Sequence, residues 1–201
     1  TKVNQCSHAN NVEYYECEQC KLIHVPTKYH LSPKAQKARY DTHNNDPHDP
    51  RYRRFLNSLF APMAKRLHAN SCGLDFGSGP GPTLSLMFEE AGHHMELFDI
   101  FYANNPDVFR RRYDFISACE VVEHLANPFP EINRLWSCLQ PKGLLGIKTQ
   151  LWHHGADIGD WYYAQDPTHI SIFSLETLQW LAHRLHATLV MASDNVALFS
   201  P

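Results

Sequence analysis

The 201-residue chain has no run approaching the roughly 20 consecutive apolar residues that cross a bilayer. Its opening residues, Thr1-Lys2-Val3-Asn4-Gln5, carry nothing like the apolar region of a secretion signal. These absences predict a cytoplasmic protein with no membrane partner. Positive charge is also scarce: 18 Lys and Arg stand against 21 Asp and Glu, a net charge of -3. No overall basic field exists to hold a nucleic-acid backbone, although Arg51, Arg53 and Arg54 form a local patch. The six cysteines (Cys6, Cys17, Cys20, Cys72, Cys119 and Cys138) are too few and too scattered for a disulfide framework. What is present, 43% hydrophobic residues, suffices for one substantial core and one small appendage. The outlier is 14 histidines, a reservoir of ligands, bases and surface caps.

The chain is organised around Gly73-Leu74-Asp75-Phe76-Gly77-Ser78-Gly79-Pro80-Gly81, a short apolar strand that passes an acid and enters three glycines at alternate positions. Glycine accepts positive φ and brings no Cβ, so backbone N–H groups can approach a ligand closely. A helix is expected over residues 82–91, its positive end aimed into the turn. A dinucleotide fold would space its glycines Gly-x-Gly-x-x-Gly. Here the order is Asp75-x-Gly77-x-Gly79-x-Gly81. A second strand over residues 94–99 ends in Asp99, about 20 residues on, placed to accept from two ribose hydroxyls, with Ile100 following to pack on adenine.

This spacing resembles motif I of the class I S-adenosylmethionine (SAM)-dependent methyltransferases, in which the glycines pass under the methionine and ribose parts of the cofactor. The resemblance runs to the C-terminus, roughly two-thirds of the chain. Strands and helices alternate, which implies a Rossmann-like parallel sheet with helices on both faces. The segment 101–112 is too short and polar for a full third strand. Residues 113–119 form the next strand and deliver Cys119 and Glu120 to the carboxyl edge, where such sheets bind ligands. Residues 186–199 look like the reversed last strand of methyltransferases, an antiparallel hairpin that dinucleotide enzymes lack. The resemblance implies cofactor contacts from Asp75, Gly77, Ser78, Gly79, Gly81, Asp99, Ile100, Cys119 and Glu120.

Ahead of this unit, Cys17-Glu18-Gln19-Cys20 precedes an alternating strand, one knuckle of a zinc ribbon. The second half-site is incomplete, and Cys6 and His8 are its candidates, with His24 and His30 in reserve; the alternative is a metal-free hairpin. Ser32 and Pro33 open a helix ending near Tyr40, and the polar stretch 41–50 marks a boundary. A helix over residues 51–67 shows an apolar stripe at Tyr52, Phe55, Leu56, Leu59, Phe60 and Met63 that should pack on the sheet. The expected domains are a zinc-ribbon-like segment (1–30), a helical linker or lid (31–70) and a SAM-binding domain (71–201). The pattern around Tyr40, His43 and Asn44 is similar to a bacterial methyltransferase subgroup with such a ribbon, which puts Tyr40 and His43 at the substrate rim; the alternative is that they pack and cap the linker.

The chemistry gathers in Glu120-Val121-Val122-Glu123-His124. Turned helically, Glu120, Glu123 and His124 share a face that holds a divalent cation or provides a general base. A long loop follows a fifth strand over residues 143–149 and carries Trp152, His153, His154, Trp161 and Tyr163, then His169 before a helix capped by Ser174. Trp152, Trp161 and Tyr163 are expected to wall the acceptor pocket, and His169 to join Glu123 and His124 as catalytic groups, or with Glu120 as a cation site. Glu-x-x-Glu-His with a later histidine is similar to the metal site of small-RNA 3'-end 2'-O-methyltransferases and to quinone-biosynthesis O-methyltransferases. The expected reaction is in-line methyl transfer to an oxygen, less so nitrogen or carbon, of a small or medium-sized acceptor. The rivals are a non-catalytic SAM-binding module that recruits a partner, and an RNA 2'-O-methyltransferase; an RNA or protein acceptor and the oligomeric state stay open.

Overall fold

The computed structural model describes residues 2–9, 11–43, 45–153, 155 and 158–201, with His8 and Ala9 described by backbone alone. Asn44 and His154 lie outside the described residues. Near the N-terminus, β1 (Val3–Ala9) and β2 (Val12–Cys17) form a hairpin, and β3 (Ile23–His24) pairs with β2. Then come α1 (Pro33–Tyr40) and α2 (Pro50–Ala64). The main unit alternates: β4 (Cys72–Phe76), α3 (Thr83–Glu90), β5 (His94–Phe98), β6 (Tyr113–Cys119), α4 (Pro128–Ser137), β7 (Leu139–Lys148). It closes with β8 (Ser171–Ile172), α5 (Leu175–Leu185), β9 (Thr188–Ser193) and β10 (Val196–Ser200).

Six strands form one sheet in the order β5-β4-β6-β7-β10-β9. The first four run parallel, and β10 enters antiparallel to both β7 and β9, giving the reversed C-terminal hairpin expected from the sequence. Period-two alternation divides two cores. Leu74, Phe76, Ile116, Leu145 and Phe199 face α4 and α5, whose Ile132, Leu135, Leu178 and Leu181 complete that layer. Phe115, Leu144 and Leu198, one residue out of step, face Leu56, Leu59 and Met63 of α2 and Leu84 and Phe88 of α3. Between β5 and β6 no further strand forms among the described residues; a 3-10 turn at Pro106–Arg110 buries Val108 instead. No helix among the described residues is long and apolar enough to cross a membrane.

The helix starts follow their capping chemistry. Ser32 accepts from the Ala35 N–H and Asp49 from the Arg51 N–H, each with proline at the first turn, where a missing N–H costs nothing. Ser174 and Thr177 exchange hydrogen bonds in a capping box that starts α5. The polar stretch before α2 is a strap rather than a free linker: the Asn45 carbonyl accepts from Thr83 Oγ1 at 3.1 Å, beside the glycine turn.

The N-terminal strands are joined to the main unit. β3 pairs with β8, so the second sheet reads β1-β2-β3-β8, and Tyr14, Ile23, Val25, Ile170 and Ile172 share one apolar cluster. In the Cys-x-x-Cys turn the Cys20 N–H donates to Cys17 Sγ at 3.4 Å. Cys6 does not join them. It occupies a bulge between Gln5 and Ser7 with its thiol on the Tyr14 carbonyl, while Val3 lies opposite Cys17. Among the described residues Cys6, Cys17 and Cys20 do not form a group of converging metal-ligand atoms. The four-ligand set expected from the sequence is corrected accordingly, and the His8 side chain lies outside the described residues.

Candidate active site

Strand β4 runs into Gly77 (φ +77°) and Gly79 (φ +66°), backbone that L residues rarely adopt. A Cβ at Gly77 would strike the Val121 side chain, so the two turns at the ends of β4 and β6 lie in contact. Asp99 directly follows β5 and binds the same turn: Oδ2 accepts from the Gly79 N–H at 3.0 Å, and Oδ1 from the Phe101 and Tyr102 N–H groups at 2.8 and 3.1 Å. Ser78 Oγ is buried with no partner among the described residues. Above these carboxyl ends opens a cavity of about 650 Å³, which takes Gly77, Ser78, Gly79, Asp99, Ile100, Cys119 and Glu120 into its lining. The far wall comes from the segment before β4, through Tyr40, His43 and Asn45, and from α2 through Tyr52, Phe55 and Leu56.

Two of the expected cofactor residues sit elsewhere. Asp75 is 3% exposed and does not line the cavity; its two oxygens accept from Ser85 and Ser117 hydroxyls, both at 2.9 Å. Burial pushes its carboxyl up to about 6, and the acid ties α3 and β6 beneath the turn. Gly81 also stands off the cavity, because the Asn45 carbonyl passes over it and leaves no room for a Cβ.

The helical turn expected to carry Glu120, Glu123 and His124 does not form. Glu120 takes φ +54°, and only Val122–His124 makes a short 3-10 turn. The three side chains nonetheless stay near one another: Glu120 and Glu123 share the Tyr163 hydroxyl, and Glu123 and His124 place ligand atoms within 4.8 Å of each other and of His169. Glu120 lines the cavity, with Oε1 3.6 Å from the buried Lys148 amine. Glu123 is 0% exposed beneath the floor, where Tyr163 donates to its Oε1 at 2.5 Å. Burial first, and then the neighbouring Glu123 charge, pushes Glu120 up to about 7 against the pull of Lys148; burial also raises Glu123 and lowers Lys148.

His124 and His169 meet at the cavity, ring centroids 4.7 Å apart. His124 Nδ1 is 3.0 Å from the Thr168 carbonyl and His169 Nδ1 2.6 Å from the Tyr163 carbonyl. Burial drives both imidazoles down to about 4, so both are neutral at pH 7. Among the described residues the one group of three metal-capable side chains is Glu123, His124 and His169, whose ligand atoms lie within 4.8 Å of one another; Glu120 is not part of it.

The aromatic loop is placed differently from expectation. Trp152 and Trp161 pack on the N-terminal cluster around Tyr14 and Ile23 and do not reach the cavity. Tyr163, 5% exposed, lies below the rim, its hydroxyl on Glu123, Glu120 and Thr149. Tyr40 and His43 do line the cavity, with Tyr40 edge-on to His124 at 5.2 Å. Sequence reasoning missed Lys148, Asp166 and Tyr52. A lysine ending an apolar strand ordinarily reaches solvent, and only the approach of α2 encloses this one, which donates to the Phe55 carbonyl at 3.2 Å.

A family model described as a methyltransferase domain matches residues 48–190. Comparison with curated proteins finds no sequence match. Among solved structures, the chain is similar to a Burkholderia thailandensis 1,6-didemethyltoxoflavin N1-methyltransferase solved with 1,6-didemethyltoxoflavin and S-adenosylhomocysteine (TM-score 0.61, 16% identity, 100% of this chain and 98% of that one). It is similar also to CalO1, a methyltransferase of calicheamicin biosynthesis in its S-adenosylhomocysteine-bound form (TM-score 0.51, 14% identity, 75% and 55% covered). A third is the Haemonchus contortus phosphoethanolamine N-methyltransferase 2 with SAM (TM-score 0.52, 15% identity, 64% and 36% covered). With its glycine turn, its paired strand-end acids and its reversed terminal hairpin, the chain belongs to the methyltransferase-domain family and has the fold of the class I SAM-dependent methyltransferases.

Proposed function

We propose that the chain transfers a methyl group from SAM to an oxygen of a small or medium-sized acceptor, with nitrogen and carbon as lesser alternatives. The residues present fit the cofactor. Two left-handed glycines bring backbone to the cavity floor, Ser78 Oγ awaits a partner, and the volume of about 650 Å³ is that of a small-molecule site. Asp99 would hold the ribose hydroxyls, since a carboxylate has lone pairs to spare beyond its three N–H donors, and Ile100 would face the adenine. Gly77, Ser78, Gly79, Cys119 and Glu120 would flank the methionine end. When bound, SAM supplies a sulfonium methyl, so that a new oxygen–carbon bond forms as the carbon–sulfur bond breaks and a neutral thioether leaves.

The observation that carries the oxygen reading is the pair of neutral imidazoles at the cavity, His124 and His169. An amine attacks with its own lone pair, whereas a hydroxyl must shed its proton as the bond forms. That proton passes to Nε2 of His169 or His124 and on to solvent; a weak base suffices, because the oxygen becomes strongly acidic as it is alkylated. Glu123, pinned by Tyr163, holds the turn that carries His124. Incubation with methyl-labelled SAM and hydroxyl, amine and carbon acceptors tests this, with the product bond read by NMR. A methoxy product supports the reading. An N-methyl product moves the chain to the amine class, and cofactor binding without any product leaves it a SAM-binding module.

A second reading rests on the convergence of Glu123, His124 and His169. One carboxylate and two imidazoles suit a divalent transition metal, which would bind the acceptor oxygens directly. Activity that survives EDTA dialysis unchanged rejects it, and loss restored by Mn²⁺ supports it.

A further inference from the structure

Beyond the glycine turn, the cavity is walled by rings: Tyr40, His43, Tyr52, Phe55, His124 and His169. The two facing histidines are fixed by main-chain carbonyls, Thr168 O for His124 Nδ1 and Tyr163 O for His169 Nδ1. A carbonyl oxygen has no proton to give, so in each neutral ring Nδ1 carries the hydrogen and Nε2 keeps a lone pair. The cavity therefore offers two hydrogen-bond acceptors 4.7 Å apart by ring centroid, framed by aromatic faces. Such a pair recognises O–H or N–H donors and repels other acceptors.

Charge narrows the ligand further. Among the described residues no lysine or arginine lines the cavity, so a phosphate or carboxylate entering it would meet no counter-charge. The acids in the wall are already held: Asp99 by three backbone N–H groups, Asp166 by Arg39 and Thr168, and Glu120 by Tyr163 beside Lys148. Glu120 Oε1 makes no hydrogen bond among the described residues, but the Lys148 amine already stands 3.6 Å from it, so a cationic acceptor there would face an ammonium in place.

We propose that the acceptor is a neutral, planar hydroxyaryl or hydroxyheteroaryl ring, stacked among these side chains with its hydroxyl donating to Nε2 of His124 or of His169. This rests on the methyl-transfer reading, and it adds the substrate class. The donor requirement makes the product a poor ligand, because methylation removes the hydrogen that the histidines recognise.

Titration calorimetry of the full chain in EDTA, with saturating S-adenosylhomocysteine, tests it using 2-naphthol, 2-methoxynaphthalene, 6-hydroxy-2-naphthoate and cyclohexanol. The expected order puts 2-naphthol about tenfold or more tighter than each of the others, the scale of an unmade polar contact. In the double variant His124→Phe, His169→Phe, which keeps the rings and removes the lone pairs, the preference for naphthol over its methyl ether disappears; retained S-adenosylhomocysteine affinity reports that this variant is folded. The wild-type series decides the matter should it not fold. Equal or tighter binding of the methyl ether or the carboxylate overturns the proposal, as does no aryl binding by a chain that takes up S-adenosylhomocysteine. A chain that does not bind S-adenosylhomocysteine overturns the methyltransferase reading and this proposal with it.

Discussion

Tyr163 brings one hydroxyl proton to three oxygens: Glu123 Oε1 at 2.5 Å, Glu120 Oε2 at 3.1 Å and Thr149 Oγ1 at 3.1 Å. One proton cannot serve both carboxylates, and burial accordingly raises the affinity of both acids for protons of their own. Tyr163→Phe removes one of the donors that hold the buried Glu123, and should cost about 1–3 kcal/mol in urea unfolding; an unchanged midpoint would show that the hydroxyl is not structural. The histidines give a pH signature. Their folded values, about 4, lie below the unfolded value of about 6.5, so the unfolded chain binds protons first. Their contribution to stability is complete above pH 6.5 and declines as pH falls towards 4. Glu120 works in the opposite direction, since its raised value weakens the fold as pH climbs towards about 7. Comparing wild type with His124→Phe, His169→Phe isolates the histidine part: urea midpoints from pH 7 to 4.5 should fall less steeply in the variant. At this scale the sequence was legible where residue type dictates backbone, as at Gly77 and Gly79. Facing was not legible. The left-handed turn at Glu120 leaves its carboxylate in the cavity lining while Glu123 lies buried beneath it, a division that helical spacing does not show and no residue type there announces.

At the scale of elements, the two core layers follow from alternation within strands and from helix spacing, both written in the sequence. β5, β6 and β10 begin and end close to their expected limits, because apolar runs and turn residues mark them, whereas β7 starts at Leu139, ahead of the start expected at Gly143. The strap over the cavity was less legible. Residues 41–50 read as a polar boundary, yet three contacts hold the strap and α1 down: Arg39 to Asp166 at 2.8 Å, Tyr102 to Asp41 at 2.6 Å, and Thr83 to Asn45. Each joins residues at least 38 positions apart, a distance no local pattern reveals. The Arg39–Asp166 pair is partly exposed and worth at most about 1 kcal/mol globally. Arg39→Ala should therefore leave the melting temperature nearly unchanged, while hydrogen exchange of residues 33–43 accelerates as the strap opens more often. Exchange unchanged in that segment would mean the other two contacts suffice.

The whole molecule couples its N-terminal hairpin to the cavity through a short path. β3 pairs with β8, the Val25 N–H bonds the Ile170 carbonyl, and the Ile170 N–H bonds the Glu123 carbonyl. Ile23, 1% exposed, anchors that path. Ile23→Ala should cost about 2–5 kcal/mol as a buried truncation, and exchange should rise more in residues 158–173 than in the six-stranded sheet; a uniform rise would show the molecule unfolds as one unit. This association also explains why Trp152 and Trp161 left the expected acceptor wall. Their spacing in the loop predicts an apolar surface, but the partner for it is the N-terminal sheet, known only once the chain is folded. The central claim is that the cavity over Gly77 and Asp99 takes the methyl-donor cofactor. Titration calorimetry with S-adenosylhomocysteine on wild type and Asp99→Ala tests it most directly. The account predicts one-to-one binding to wild type, weakened about tenfold or more in the variant by loss of the ribose contacts. No binding to wild type, or equal binding to both, would contradict it.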